Sequence, residues 1–528
     1  MGSKFLIMAR YPIGKQNFKS LREGGYIYID KTRFIRFLLE GSGSYFLARP
    51  RRFGKSLFLS TLEYFFKGER QLFQDLDIDN YDWEWKEYPV IRIDLIDGNY
   101  HEDNALSEKL DYVLTEYETH YNITRRKGQS LSSRFRSLIA GAHAQRGLPV
   151  IVLVDEYDKP LVDLLDNPEK MAQNREILRG FYSVLKGCEE HLKLVFLTGI
   201  TKFGQMNIFS GLNNLRDISL LKEFSTICGI TEKELTSQLK EGICELAKSE
   251  KTDFNGALEM LKQNYDGYHF SADCEDIYNP FSLMNALADS EINSYWAATG
   301  TPKILWDILI KNDFDLEELD CVNISRDELM NISDRLDNPI SLFYQTGYLT
   351  IKDYDKNLRL YTLGFPNREV EIAFLNYVLP IYSKTNSLDS SMAVTNLART
   401  INSGEPEKMM QILSSFCAGI SYEAIPAPET ERHFQYLIYI LFKLLTPYTD
   451  EVKIEEKTSD GRIDLLIKSS RFIYLIEIKR NKTPENALEQ IKNKNYHLAF
   501  VNDPRRVFLI GVNFSTEKRR IDGWKIVE

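Results

Sequence analysis

The chain has 528 residues, 43% hydrophobic, 12% aromatic and 27% charged, with a net charge of -10 at pH 7. Such a length exceeds one ordinary core and implies roughly two to four domains, and the composition excludes a disordered or fibrous chain. The acidic total excludes indiscriminate coating of nucleic acid, although residues 451–528 carry +4 against -14 for the rest, so the C-terminal end is the basic one.

The opening MGSKFLIMARYPIG holds a short apolar run without an extended signal-peptide core. No segment reaches the roughly 18 apolar residues of a membrane span, so no membrane partner is expected. Leu6 stands where N-myristoylation needs Ser or Thr, which excludes that anchor.

From about Tyr45 to Thr201, short apolar runs alternate with helical stretches. The runs are YFLAR, VIRIDL (Val90 to Leu95), PVIVLVDE (Pro149 to Glu156) and LKLVFLTGI (Leu192 to Ile200). Continuous apolar runs read as strands buried on both faces, and the helices between them as parallel crossovers. The expected fold is an open α/β sheet with helices on both faces.

Between the first run and the helix after it lies FLARPRRFGKSLFLS, ending in the Gly-Lys-Ser of a phosphate loop, with Arg49 where the first glycine usually stands. Such a loop aims backbone N–H groups at anionic oxygens, while its lysine adds charge and its hydroxyl ligates Mg²⁺. The nucleotide-binding run is therefore Arg52, Phe53, Gly54, Lys55, Ser56 and Leu57, with Ser56 on the metal. About 100 residues later, IVLVDE places Asp155 for a contact to Mg²⁺ and Glu156 to polarise an attacking water. Thr198, in FLTGITKF with Thr201 and Lys202, is expected at the level of a γ-phosphate sensor. Alone, Gly-Lys-Ser is a solvated turn and Asp-Glu a capped strand end; together, in strand–loop–helix context, they point to ATP and Mg²⁺.

From about Leu220 to Ile425 helical patterns dominate. Within them YLTIKDYDKNLRLYTL reads as two strands around DYDKN, belonging either to a winged helix or to a hairpin packed on a helical bundle. The remainder reads helix (HFQYLIYILFKLL), three strands (EVKIEEK, RIDLLIK, RFIYLIEIK), helix (PENALEQIKNKNYHLA) and strand (RRVFLIGVNF). Expected boundaries are 1–220, 221–425 and 426–528.

In that last segment Asp464 precedes Glu477 and Lys479 by 13 and 15 positions. Residues two apart share a strand face, so Glu477 and Lys479 point one way, and a hairpin can bring Asp464 alongside. Clustered hard oxygens with a lysine suit metal-dependent phosphodiester cleavage; a solvated charge pair is the plain alternative. Arg462, Lys479, Arg480, Lys482, Lys492 and Lys494 would contact phosphates or simply be solvated. No aromatic stacking platform or base-reading motif can be assigned, so these residues do not predict a sequence preference.

The stretches YIYIDKTRFIRFLL, YFLARPRRFGKSLFLSTLEYFF, IVLVDEYDKPL, FLTGITKFG, FSGLNNLRDISL, YDGYHF, YNPFSL, TGYLTI and FPNREV closely resemble the AAA-ATPase-like family of bacterial P-loop proteins. In that family the loop has the form R-P-R-R-F-G-K-S, so the resemblance makes Arg49 the normal state rather than decay. It also implies a C-terminal PD-(D/E)XK, restriction-endonuclease-like α/β domain. By position, Asp464 and Glu477 would be metal ligands, Lys479 would position water, Gln490 of ALEQIK would brace the site, and Glu431 matches a fourth acid.

The expectation is an ATP-binding, ATP-hydrolysing protein coupled to a Mg²⁺-dependent nuclease acting on nucleic acid, DNA first. The alternative is a nucleotide-controlled switch whose nuclease fold binds without cutting. A kinase would need an acceptor site, and none can be named. The arginine finger that hydrolysis often needs could be Arg216, one of Arg49, Arg51 and Arg52, or come from a second copy in a homo-oligomer. Six scattered cysteines, with no Cys-x-x-Cys, point to a reducing cytoplasm.

Overall fold

The computed structural model describes residues 10–41, 43–202, 208–209, 214–296, 319, 321–330, 339–383, 385–418, 430–458, 461–518 and 520–528, without the side chains of 430–435, 455–458 and 461–463. The chain divides into two compact units, Met1–Val370 and Glu371–Glu528.

In the first unit, the four apolar runs are the strands β1 (Ser44–Ala48), β2 (Val90–Asp94), β3 (Val150–Asp155) and β4 (Leu192–Gly199). A two-residue strand β5 (Arg216–Asp217) completes an all-parallel sheet of order β2-β3-β4-β1-β5. Every residue of β3 is buried, as a central parallel strand requires. From β1 the chain crosses to the far edge at β2, returns through β3 and β4 and steps over β1 to β5, and ligands of open α/β sheets bind beyond the carboxyl ends of the strands. The helix Lys55–Phe66 follows β1 and packs on β2, β3 and β4 through a face that includes Phe58, Leu59 and Leu62.

The same unit continues through the helical middle of the chain. One core gathers Leu235, Leu239, Ile243, Leu261 and Leu287 around the small pair β6 (Ile230–Thr231) and β7 (Ile277–Tyr278). Further on, β8 (Val322–Ser325), the helices Arg326–Met330 and Ile340–Thr346, and the hairpin β9 (Thr350–Asp355) and β10 (Leu360–Gly364) form an antiparallel sheet of order β8-β10-β9. Among the described residues this is a strand, two helices and a hairpin whose last strand lies centrally. In helix-turn-helix proteins the second helix enters the DNA major groove; here Ile340, Ser341, Leu342, Phe343 and Gln345 of that helix are all buried.

The second unit contains the helices Ser387–Ser403, Pro406–Ala418 and Thr430–Lys443 and a five-stranded sheet in sequential order: β11 (Glu451–Thr458), β12 (Gly461–Lys468), β13 (Phe472–Arg480), β14 (Arg506–Ser515) and β15 (Arg520–Val527). Only β13 and β14 run parallel, joined by the crossover helix Pro484–Asn493. That helix starts at a capping box, Thr483 with Asn486, and packs Leu488 and Ile491 onto Leu466, Ile473, Leu475 and Leu509. The edge strand β15 escapes sequence reading because all its residues but Ile521 are exposed or half-buried and they are mixed in polarity. Among the described residues no helix is long and apolar enough to cross a membrane, and all six cysteines are free thiols.

Candidate functional site

At the end of β1 the backbone turns through Arg52 (φ 67°) and Gly54 (φ 96°) before the helix begins at Lys55. The positive φ at position 54 favours glycine and leaves the first N–H groups of the helix facing outward. Lys55 is 5% exposed, and its ammonium donates to the carbonyls of Arg49 and Pro50, both at 3.0 Å. Burial lowers its pKa, opposed by the nearby Glu156 and Asp155 carboxylates.

The acids stand two strands away. Asp155 is buried beside Asp94, its register partner on β2. Thr198 on β4 donates its hydroxyl to Asp155 Oδ1 at 2.6 Å, and Arg92 Nη2 lies 3.6 Å from Oδ2. Thr198 is thus fully buried on Asp155, bearing on the loop through that acid. Asp158 accepts the backbone N–H and the hydroxyl of Thr201, at 2.6 and 2.7 Å, which pins the end of β3 to that of β4. Glu156 has left-handed backbone (φ 50°), a conformation that costs a non-glycine residue about 1 kcal/mol. Burial raises its pKa, partly offset by Lys55.

Arg52, Phe53, Gly54, Lys55, Ser56, Leu57 and Glu156 line one cavity of about 390 Å³ at the carboxyl end of the sheet. That volume lies within the range of small-molecule sites, roughly 300–1,000 Å³. The opposite walls escaped sequence reading: Pro12 to Gln16, Tyr28 and Ile29 on one side, Phe281, Met284 and Asn285 on the other. Both stretches, YPIGKQ and YNPFSLMN, carry a local signal in hindsight, a proline and a glycine or Asn cap where the chain turns into a helix. Arg51 also lines the cavity, whereas Arg49 does not. Its guanidinium is buried and donates to the carbonyls of Ala48, Ser219 and Phe224, so of the arginines offered as a finger Arg49 is the one turned away from the cavity. Arg216 is paired with Glu223.

The residues present fit a magnesium nucleotide. A helix N-terminus, a buried lysine and a serine converge on the cavity, with two acids at the end of β3, two strands away. Among the described residues no group of three His, Cys, Asp or Glu side chains that could hold a metal ion is found.

In the second unit, β12 and β13 pair from Leu465 with Ile476 outward, so Asp464 and Glu477 meet at the next step. Asp464 Oδ2 accepts the Ile478 N–H at 2.8 Å. Glu477 is 1% exposed; its Oε1 accepts Lys479 Nζ at 2.7 Å and the amide of Gln490 from the crossover helix. Its Oε2 is buried without a hydrogen-bond partner. Burial raises the Glu477 pKa, countered by Lys479 and reinforced by Asp464. Asp464, Glu477, Lys479 and Gln490 therefore converge, and an unpartnered carboxylate oxygen beside a second carboxylate suits a divalent ion. The side chain of Glu431, on the helix Thr430–Lys443, lies outside the described residues.

Comparison with known proteins follows this division. Residues 12–209 match a family model described as predicted AAA-ATPase, and residues 429–524 match the PD-(D/E)XK nuclease superfamily. A protein of Azotobacter chroococcum mcd 1, described as an uncharacterized protein in the vnfD 5' region, is 34% identical over 526 residues, 98% of each chain. Among solved structures, Cdc6p of Pyrobaculum aerophilum aligns at 12% identity over 64% of this chain and 89% of its own, with a TM-score of 0.23. Aeropyrum pernix ORC1 in complex with DNA aligns at 11% over 65% and 90%, with a TM-score of 0.25. At such scores neither superposition bears on this chain. The full-length relative and the two domain matches place the chain in the AAA-ATPase-like family of P-loop proteins that carry a C-terminal PD-(D/E)XK nuclease superfamily domain.

Proposed function

We propose that the first unit binds and hydrolyses ATP with Mg²⁺, and that this controls a Mg²⁺-dependent PD-(D/E)XK site acting on nucleic acid, DNA first. The observation that carries the first part is the placement of Lys55, Ser56 and Glu156 on one cavity at the carboxyl end of a parallel sheet. Ser56 would hold the ion with Asp155 behind it, Lys55 would neutralise phosphate charge, and Glu156 would accept a proton from the attacking water. Bound Mg²⁺ would supply charge neutralisation on the transferring phosphoryl group. Arg51 or Arg52, both on the cavity, or an arginine of a second copy of the chain would be the source of a finger.

The nuclease reading draws on Glu477, whose Oε1 is spent on Lys479 and Gln490 while Oε2 is left for an ion shared with Asp464. When bound, the metal would act as a Lewis acid on the phosphodiester and lower the pKa of water; Lys479 would orient that water. Free cysteines and the absence of a membrane-spanning helix among the described residues fit the proposed cytoplasmic location.

The test is an ATPase assay and a DNA cleavage assay with Mg²⁺ or Mn²⁺ on the wild type and on Lys55→Ala, Asp464→Ala and Lys479→Ala. Expected are loss of ATP binding in the first and loss of cutting in the other two. Undiminished ATP affinity in Lys55→Ala would refute the nucleotide site. A wild type that binds ATP and cuts neither DNA nor RNA would establish the switch in place of the nuclease.

A further inference from the structure

We propose that Arg49 is a positioning residue that anchors the first half of the phosphate loop on Ser219, Phe224 and Phe270 and so seats Pro50 against Gly347, with the result that nucleotide bound at Lys55 and Ser56 is transmitted to residues 340–350. The inference rests on the nucleotide-binding reading above.

Loop side chains divide between two sides. Arg51, Arg52, Lys55 and Ser56 line the cavity, whereas Arg49 and Pro50 face a void of only about 20 Å³ with Phe270, Tyr344 and Gln345. Such a void has room for about one water, so the contact is packed. The Arg49 guanidinium, 2% exposed, donates to Ser219 O at 2.7 Å and Phe224 O at 3.0 Å and lies 4.1 Å from the Phe270 ring centroid. A buried charge is costly unless it is fully engaged, and here carbonyl dipoles and an aromatic face engage it.

The next contacts continue the fastening. Gly347 has φ 92°, and a Cβ there would fall 2.7 Å from Pro50 Cβ, so only glycine allows this approach. The Phe53 ring meets Tyr268 and Phe270 edge-on at 4.7 and 5.3 Å. Gln345 accepts the Lys202 N–H at 2.6 Å and donates to Leu329 O at 3.0 Å, bridging the end of β4 to the helix Arg326–Met330.

Lys55 makes these contacts consequential. Its ammonium is bonded to the carbonyls of Arg49, which is anchored on Ser219, Phe224 and Phe270, and of Pro50, which is seated against Gly347. A lysine that turns to phosphate must release those carbonyls. With a glycine at 49 the loop could absorb the release locally; with an anchored arginine it passes to Phe270, Tyr344 and Gly347.

The experiment measures ATP affinity and amide hydrogen exchange, with and without ATP and Mg²⁺, on the full chain and on Lys55→Ala, Arg49→Gly, Arg49→Lys and Gly347→Ala, with thermal melting of each. Expected is ATP-dependent protection at 340–350 in the wild type. Arg49→Gly and Gly347→Ala should lose it while ATP binding falls no more than about tenfold, and Arg49→Lys, which keeps the charge, should recover part of it. Arg49→Gly with undiminished protection overturns the proposal; if that variant does not fold, undiminished protection in Gly347→Ala does so. A wild type that does not bind ATP, or a Lys55→Ala variant that binds it normally, defeats the nucleotide reading itself and the proposal with it.

Discussion

Thr198 donates its hydroxyl to Asp155 at 2.6 Å, while Arg92 approaches the other carboxylate oxygen at 3.6 Å. The acid at the end of β3 is therefore clamped from both flanking strands, β4 and β2, and keeps one orientation toward the loop. A hydrogen bond to a charged group contributes about 1.5–3 kcal/mol, and about 1.4 kcal/mol is a tenfold change in rate. Thr198→Val, which keeps the shape and removes the donor, should lower ATP turnover about tenfold or more with ATP affinity in EDTA unchanged. Wild-type turnover in this variant would show that Asp155 needs no clamp.

Glu156 carries a pH signature. Its pKa is raised chiefly by burial, with Lys55 opposing and Asp158 and Asp155 adding to the rise. A general base works only when deprotonated, so ATP hydrolysis should fall as pH drops through this raised value, at a higher pH than an ordinary glutamate would give. Glu156→Gln should bind ATP but not hydrolyse it; turnover retained in that variant would move the base elsewhere.

The sheet and the nuclease domain were legible because parallel strands are uniformly apolar and the E-x-K alternation is local. Arg49 was not, since its partners Ser219 and Phe224 lie about 170 residues away and nothing at position 49 points to them. The walls at Ile13 and Met284 were hidden for the same reason: they reach the loop only through tertiary packing. Five strands went unread on other grounds: β5, β6 and β7 for their two residues each, β8 for its four, and β15 for its mixed polarity.

Glu369 makes stability depend on pH. Its carboxylate accepts the N–H groups of Tyr295 and Trp296, at 2.5 and 2.7 Å, yet burial pushes its pKa up to about 7. The folded-state value exceeds the unfolded one, so this contribution is fully present below about pH 4.5 and is lost as pH rises through about 7. Glu369→Gln, which can still accept both N–H groups, should stabilise the chain at pH 8 relative to pH 5 by up to about 3 kcal/mol. Asp266, also raised to about 7 by burial, gives a wild-type background that falls in the same window. Unfolding curves at the two pH values check the difference, and an equal effect of the substitution at both would show that Glu369 is not held protonated.

Gly511 decides whether Gln490 can reach Glu477. The residue pairs directly with Glu477 across β13 and β14, and a Cβ at 511 would lie 2.2 Å from Pro484 O and 2.9 Å from Leu488 N. Both are backbone atoms of the crossover helix, which cannot move aside as a flexible side chain could. Gly511→Ala must lift the helix, at a cost of about 1–3 kcal/mol for overpacking, and draw Gln490 away from Glu477. Metal-dependent DNA cleavage should fall at least about tenfold, since a misplacement near 1 Å can cost more than that. Gln490→Ala separates the two effects: it removes the brace and leaves the helix seated, so cleavage should drop with little change in melting. If Gly511→Ala melts and cuts like the wild type, the close approach of helix to sheet does not set the geometry of Glu477.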